Sequence, residues 1–122
     1  MARHNDFGHN GELQAAKFLE DRGYTILERN WRCGHLELDL VARMGGTLVV
    51  AEVKSRSSTE YGDPQDAVDV RKIRRIVIAA DAYVRLNCLD MDVRFDVLTV
   101  VTDGDSVCIE HIEDAFYPEV ER

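Results

Sequence analysis

The stretch that decides the fold runs from residue 37 to residue 54 and reads Glu37-Leu-Asp-Leu-Val-Ala-Arg-Met-Gly-Gly-Thr-Leu-Val-Val-Ala-Glu-Val-Lys54. Two runs rich in leucine and β-branched residues flank the glycine pair, and both glycines can adopt the positive φ angles of a tight hairpin turn. The stretch therefore predicts two antiparallel strands, at 36–43 and 47–54. With the glycines as the turn, Met44 pairs with Thr47.

This register gathers charged side chains at the open end of the hairpin. Counting outward from the turn places Asp39 opposite Glu52, and Glu37 opposite Lys54. Because side chains alternate along a strand, all four share one face, with opposed Cβ atoms about 5 Å apart. Carboxylates this close repel each other unless a cation intervenes. Two interpretations follow, a Mg²⁺ site or a solvated strand end in which Lys54 pairs with Glu37 or Glu52, and we favour the metal site.

The composition is that of an ordinary globular chain: 122 residues, 45% hydrophobic and 31% charged. We expect one domain spanning 1–122, with a single core. No apolar run approaches the length of a membrane span and no signal-peptide core follows the first residues, so we expect a cytoplasmic protein without a membrane partner. Three scattered cysteines without a Cys-x-x-Cys motif predict reduced thiols rather than zinc ligands.

The net charge of −8 argues at first sight against a nucleic-acid partner. Residues 103–122 hold seven acidic residues and one arginine, whereas residues 1–102 hold sixteen acidic and fourteen basic residues. An acidic C-terminal hairpin strand and tail therefore account for most of the excess, and the rest of the chain is nearly neutral. We expect binding to nucleic acid, DNA in particular, to be weak and strongly salt-dependent.

A first helix is predicted from between Asn5 and Asn10, either of which can cap it, to about Arg22. Glu12 shares the inward face of this helix because it lies three, four and seven residues before three apolar positions, Ala15, Ala16 and Leu19. An inward carboxylate needs a partner. Glu12 is equally well interpreted as part of the metal site or as an acid of the first turn stabilised by the helix dipole.

The remaining pattern predicts a strand at 24–31, a helix from Asp63-Pro64 to about residue 86, and strands at 92–101 and 106–112 joined by an Asp103-Gly104 turn. That turn places Asp96 opposite His111, a pair that we interpret as structural. The hairpin strands at 36–43 and 47–54 are apolar on both faces, so both faces of the sheet must be covered. The order is α-β-β-β-α-β-β, which predicts an α/β fold with a central mixed sheet flanked by helices.

The densest basic cluster lies on the second helix and comprises Arg71, Lys72, Arg74 and Arg75. Such a run is usually a solvated helix face, and a phosphate-binding patch is the more specific alternative. Arg56, in the loop predicted after the third strand, is equally suited to a phosphate contact or to solvent. The candidate nucleic-acid-binding residues are therefore Arg56, Arg71, Lys72 and Arg75.

Four residues together suit metal-assisted hydrolysis of a phosphodiester: Glu12, Asp39, Glu52 and Lys54. The three acidic residues would hold Mg²⁺ or Mn²⁺, which neutralises the scissile phosphate and lowers the pKa of a water molecule. Lys54 would orient that water or stabilise developing charge. The role of Glu37 stays open.

Seven motifs spread over the chain carry a resemblance to a known family: Asn10-Gly11-Glu12, residues 23–30, Glu37-Leu38-Asp39-Leu40, Glu52-Val53-Lys54-Ser55-Arg56, Tyr61-Gly62, Lys72, and Arg94-Phe95-Asp96-Val97. With them the chain resembles the YraN-like family of small uncharacterised bacterial proteins over nearly its whole length. That family is similar to the restriction-endonuclease-like superfamily and its Holliday-junction resolvases. Those enzymes carry an Asp, then Glu-x-Lys, often with a Glu on a preceding helix.

The resemblance implies a restriction-endonuclease-like fold in which Asp39, Glu52, Lys54 and Glu12 occupy the site. Two positions depart from the pattern without removing a ligand: Leu38, where many of those nucleases have proline, and Leu36, where the family usually has glycine. The implied function is a Mg²⁺-dependent nuclease acting on branched or structured DNA, and a homodimer would suit the cutting of two strands.

The alternative function is a non-catalytic module that binds nucleic acid or protein and keeps the nuclease fold. The intact site residues favour the enzyme. The acidic net charge and the modest basic cluster favour the module.

Overall fold

The structure is a computed structural model that describes residues 3–57 and 69–116, with side chains described from Gly11 onward. The elements are α1 (Arg3–Asp21), β1 (Thr25–Cys33), β2 (Leu36–Met44), β3 (Thr47–Ser57), α2 (Val70–Leu86), β4 (Asp92–Asp103) and β5 (Ser106–Ile112). This is the predicted α-β-β-β-α-β-β order of an α/β fold. In the described part of the chain no helix is long and apolar enough to cross a membrane, and Cys33, Cys88 and Cys108 are free and exposed.

The five strands form one mixed sheet in the order β1-β2-β3-β4-β5. The β1–β2, β2–β3 and β4–β5 pairs are antiparallel, whereas β3 and β4 are parallel. A parallel pair requires a long crossover connection, and α2 lies in that connection. The outer strands of the sheet are β1 and β5.

The hairpin of β2 and β3 has the register that the sequence predicts. Met44 pairs with Thr47, and the ladder continues without a shift to the pair of Leu40 and Ala51. Gly45 has a φ of +58°, as the tight turn requires. This register places the odd-numbered residues of β2 and the even-numbered residues of β3 on one face.

Beyond that point the two strands separate, which corrects the predicted pairing of Asp39 with Glu52. The ladder ends because a carboxylate oxygen of Asp39, Oδ2, accepts the backbone N–H of Val53 at 2.9 Å. Meanwhile β3 continues to Ser57, past its predicted end, because it pairs with β4 along its whole length. The opening between β2 and β3 therefore results from the Asp39 hydrogen bond and from the continued pairing of β3 with β4.

The two helices cover opposite faces of the sheet. On one face α1 packs with Ala15, Ala16 and Leu19 onto Leu40, Ala42, Val49, Ala51, Leu98 and Val100. On the other face α2 packs with Ile76, Ala79, Ala80 and Tyr83 onto Val41, Leu48, Val50, Phe95 and Val97. Leu38 joins the α2 core beside its strand partner Trp31, although strict alternation along β2 would place it on the same face as Leu40.

The second helix begins at Val70 and not at Pro64. Asp69 is its N-cap, with extended backbone angles (φ −82°, ψ 174°), and the Asp69 carboxylate accepts the N–H of Lys72 at 2.8 Å. The predicted cap, Asp63, lies outside the described residues. Because Asp69 is extended, α2 begins directly after it, and Val70 is 64% exposed.

The hairpin of β4 and β5 has a register two residues away from the predicted one. Asp103 pairs with Ser106, so the turn is Gly104-Asp105, and Gly104 has a φ of +62°. His111 is therefore opposite Leu98 and not opposite Asp96. A shift of two residues keeps every side chain on its face, so Asp96 and His111 remain diagonal neighbours.

Candidate functional site

The opening between β2 and β3 is a cleft of about 310 Å³ on the α2 face of the sheet. Asp39 and Glu52 line it from the two strands, and α2 contributes Lys72 and Arg75. Lys54 follows Glu52 by two residues on β3, so it lies on the same face. The fold thus brings two carboxylates and two amines together at one point of the sheet.

Glu52 is the most buried charged group of this site, with only 6% of its surface exposed. Its Oε1 lies 2.6 Å from Nζ of Lys72, across the boundary between sheet and helix. Burial and the neighbouring charge of Asp39 raise the pKa of Glu52 to about 7, even though the two lysines act in the opposite direction. The carboxyl group is therefore only partly ionised near neutral pH.

The two lysines are shifted in opposite directions. Burial, together with the adjacent Lys72 ammonium, lowers the pKa of Lys54. Burial would also lower the pKa of Lys72, but its hydrogen bonds with Glu52 and Lys54 outweigh burial and raise it. Lys72 therefore places a positive charge beside the two carboxylates, where the sequence predicts a metal ion.

Glu12 lies on α1, whose apolar residues pack against the opposite face of the sheet. Within residues 3–57 and 69–116, no three His, Cys, Asp or Glu side chains form a group that could hold a metal ion. Asp39 and Glu52 line the cleft, and a metal-binding role for Glu12 stays a prediction.

Glu37 is also placed differently from the prediction. It lines the cleft, but it is exposed and its carboxylate lies 3.5 Å from Nε of Arg32 on β1. The expected contact with Lys54 is lost because β2 and β3 have already separated at this point. Glu37 therefore belongs to the rim of the cleft.

The candidate nucleic-acid-binding residues divide into two groups. Arg56 contacts the Glu110 carboxylate at 3.3 Å, and Lys72 contacts Glu52, so both are engaged within the chain. The other basic side chains of α2 are exposed: Arg71, Arg74 and Arg75. Since Arg75 also lines the cleft, this exposed arginine surface continues into the site.

A second charged cluster surrounds Asp96, which is completely buried. Its carboxylate accepts two hydrogen bonds from Arg94 (2.7 and 2.9 Å) and one from the Asp114 N–H (3.0 Å), and contacts Nε2 of His111 at 2.7 Å. Burial would raise the pKa of Asp96, but these hydrogen bonds hold it below its ordinary value. Arg94 also donates to the Tyr24 hydroxyl, within the α1 core, which supports a structural role.

The shifted pKa of Glu52 predicts how stability depends on pH. From pH 4.5 to about pH 7 the folded protein keeps a proton on Glu52 that the unfolded chain has released. The free energy of unfolding should therefore fall across this window and level off above it. The variant Glu52→Gln should lack this pH dependence of the free energy of unfolding, whereas Glu20→Gln, an exposed control on α1, should keep it. Denaturant melts across the window measure the difference, and identical profiles for all three proteins would contradict the prediction.

The role of Lys72 was missed at the sequence level, although a signal existed. Lys72 precedes the buried positions Ile76, Ala79 and Tyr83 by four, seven and eleven residues, which is the spacing of one helix face. The sequence predicts a helix from Asp63-Pro64, ahead of the observed N-cap at Asp69, and that prediction does not single out this face. The arginines on either side of Lys72 in the sequence also made the cluster resemble a uniformly solvated face.

Comparison with known proteins matches this chain to one family. The family model described as "Uncharacterised protein family UPF0102" matches residues 11–100. A UPF0102 protein of Phocaeicola vulgatus is 52% identical over 98% of this chain and 99% of its own length. Relatives from Bacteroides thetaiotaomicron (51% identical, 97% of this chain and 98% of the relative) and Flavobacterium psychrophilum (46%, 96% and 98%) carry the same family name.

Proposed function

The chain belongs to the uncharacterised protein family UPF0102, the YraN-like family indicated by its motifs, and we propose that it is a Mg²⁺- or Mn²⁺-dependent nuclease with a restriction-endonuclease-like fold. The observation that carries the proposal is the meeting of Asp39 and Glu52 where β2 and β3 separate, with Lys54 two residues after Glu52. The α-β-β-β-α-β-β order with a mixed sheet supports the fold assignment.

The two carboxylates fit a small hard cation. Mg²⁺ is commonly bound by one or two carboxylates together with water and substrate phosphate oxygens, rather than by a complete cage of protein ligands. Asp39 is fixed in position because its Oδ2 accepts the Val53 N–H. Glu52 is fixed by burial between the sheet and α2. A site with two preorganised carboxylates in an open polar cleft therefore suits Mg²⁺ or Mn²⁺ better than zinc.

The chemistry assigned to these residues is hydrolysis of a phosphodiester bond. When bound, the metal would withdraw charge from the phosphate and make a water molecule more acidic. Lys54 is placed to orient the attacking water or to stabilise charge on the phosphate oxygens. Burial and the neighbouring Lys72 ammonium lower the pKa of Lys54, which makes its ammonium a better proton donor than a solvated lysine. Asp39 and Glu52 would hold the metal ion.

The proposed substrate is structured or branched DNA, bound weakly. The exposed arginine surface of α2, made of Arg71, Arg74 and Arg75, can neutralise only a few phosphates, so affinity should fall steeply with salt. A net charge of −8 opposes binding along a long duplex. Cutting two strands would require two copies, and pairing along an exposed edge strand, β1 or β5, is part of this proposal.

One observation favours the rival function, a binding module without catalysis. The ammonium of Lys72 lies 2.6 Å from Glu52, where it offsets the charge that a metal would otherwise neutralise. A permanent ion pair would leave a folded domain with a basic helix and no chemistry. The two functions therefore differ in whether divalent metal can replace Lys72 at Glu52.

A cleavage assay separates the two functions. The protein is incubated with linear, flapped and four-way DNA in Mg²⁺ or Mn²⁺, beside Asp39→Asn and the rim variant Glu37→Gln. We expect metal-dependent cleavage of at least one branched substrate by the parent and by Glu37→Gln, and none by Asp39→Asn. DNA binding without cleavage under all metal conditions would support the binding module instead.

A further inference from the structure

We propose that Lys72 is a phosphate-binding residue of this site. Its ammonium pairs with Glu52 in the free protein and moves to a phosphodiester when a metal ion and the phosphodiester bind together. The inference rests on the proposed function and adds to it the coupling of metal binding to substrate binding. It assigns to α2 a direct part in the chemistry of a cleft otherwise formed by β2 and β3.

The position of Lys72 is set by the fold and not by a flexible surface contact. Asp69 caps α2 and accepts the backbone N–H of Lys72 at 2.8 Å, which fixes the residue in the first turn of the helix. The side chain of Lys72 is about one-third exposed, whereas that of Glu52 is 7% exposed. The ammonium therefore reaches from the open side of the cleft to a buried carboxylate, and it can leave toward solvent or substrate.

The charges of the site explain why the two ligands should bind together. Asp39 and Glu52 are formally balanced by Lys54 and Lys72, so a divalent cation alone would meet no net negative charge. A cation on Glu52 also repels the Lys72 ammonium, which lies 2.6 Å from Oε1 in its absence. A phosphodiester in the cleft offers the displaced ammonium a new anionic partner. Binding of the metal therefore raises the affinity for the phosphodiester. By linkage, the phosphodiester raises the affinity for the metal by the same factor.

The test uses Mg²⁺ alone and Mg²⁺ with dimethyl phosphate, a minimal phosphodiester, in calorimetric titrations of the intact protein. The parent is compared with Lys72→Gln and with Arg85→Gln, a control at an exposed arginine near the other end of the same helix. We expect Lys72→Gln to bind Mg²⁺ about 10-fold more tightly than the parent, within the usual range of coupling between sites. Arg85→Gln should bind Mg²⁺ like the parent. Dimethyl phosphate should tighten Mg²⁺ binding to the parent but not to Lys72→Gln.

A second variant keeps the test decisive if Lys72→Gln does not fold. In Lys72→Arg the guanidinium can hold Glu52 through two hydrogen bonds and is harder to displace, so Mg²⁺ affinity should drop below that of the parent. Equal Mg²⁺ affinity in the parent and both Lys72 variants would overturn this inference and leave the proposed nuclease standing. Absence of Mg²⁺ binding in the parent and in Lys72→Gln would overturn the proposed function together with the inference.

Discussion

Replacing Lys54 by methionine is expected to slow DNA cleavage by about 10²- to 10³-fold while leaving Mg²⁺ affinity at least as high as in the parent. The magnitude is that of removing one preorganised charge-stabilising group from an active site. The reason lies in position: Lys54 follows Glu52 by two residues on β3 and faces the same side. It also interacts electrostatically with both Asp39 and Glu52. Methionine keeps the length of the side chain and removes only the amine.

The role of Lys54 is identified by comparing the effect of Lys54→Met on the cleavage rate with its effect on Mg²⁺ affinity. If Lys54 acts on the water or on the phosphate, only the single-turnover rate constant should fall. Lys17→Met, which removes an exposed amine from α1, serves as the control and should cleave at the parent rate. Cleavage by Lys54→Met within a factor of three of the parent rate would remove Lys54 from the reaction.

Replacing Asp96 by alanine is expected to destabilise the fold by about 3–5 kcal/mol, which is typical of breaking a buried ion pair by removing one partner. The loss would leave Arg94 without its two hydrogen bonds to Asp96 and His111 without its closest contact. It would also leave the Asp114 N–H without its acceptor at the end of β5. Because total stability is commonly about 5–15 kcal/mol, this single change should be severe.

Denaturant melts with a matched control measure this effect. Asp92→Ala removes an exposed carboxylate at the start of the same strand and should change stability by less than about 0.5 kcal/mol. In a variant that remains folded, Mg²⁺ affinity should be unchanged, because the Asp96 cluster packs with the α1 core and the cleft lies on the α2 face. A loss below about 1 kcal/mol for Asp96→Ala would mean that this cluster is not a main support of the fold.

The element order and the central hairpin could be predicted from the sequence because their signals are local. Gly45-Gly46 determines the turn, the turn determines the register, and the register determines which residues share a face. The separation of β2 and β3 after the pair of Leu40 and Ala51 could not be predicted in this way. It depends on a side chain, Asp39, accepting a backbone N–H that a regular ladder would have bonded.

The missed features of the site are consequences of tertiary packing. Packing decides which face of the sheet α1 covers, and no helix pattern contains that information. The start of α2 at an extended Asp69 decides which of its residues face the sheet. That choice turns Lys72 from one member of a basic run into the partner of Glu52. Long-range contacts therefore add Lys72 to the cleft, and the metal-binding and catalytic roles of Asp39, Glu52 and Lys54 stay predictions.

The central claim is that Asp39 and Glu52 form a divalent metal site, and a calorimetric titration with Mg²⁺ tests it most directly. The comparison is between the parent, Asp39→Asn, which keeps the size of the side chain, and Glu37→Gln, which neutralises a neighbouring carboxylate on the cleft rim. The parent and Glu37→Gln should bind Mg²⁺ at one site, and Asp39→Asn should show no binding. Unchanged Mg²⁺ binding by Asp39→Asn, or no binding by the parent, would contradict the claim.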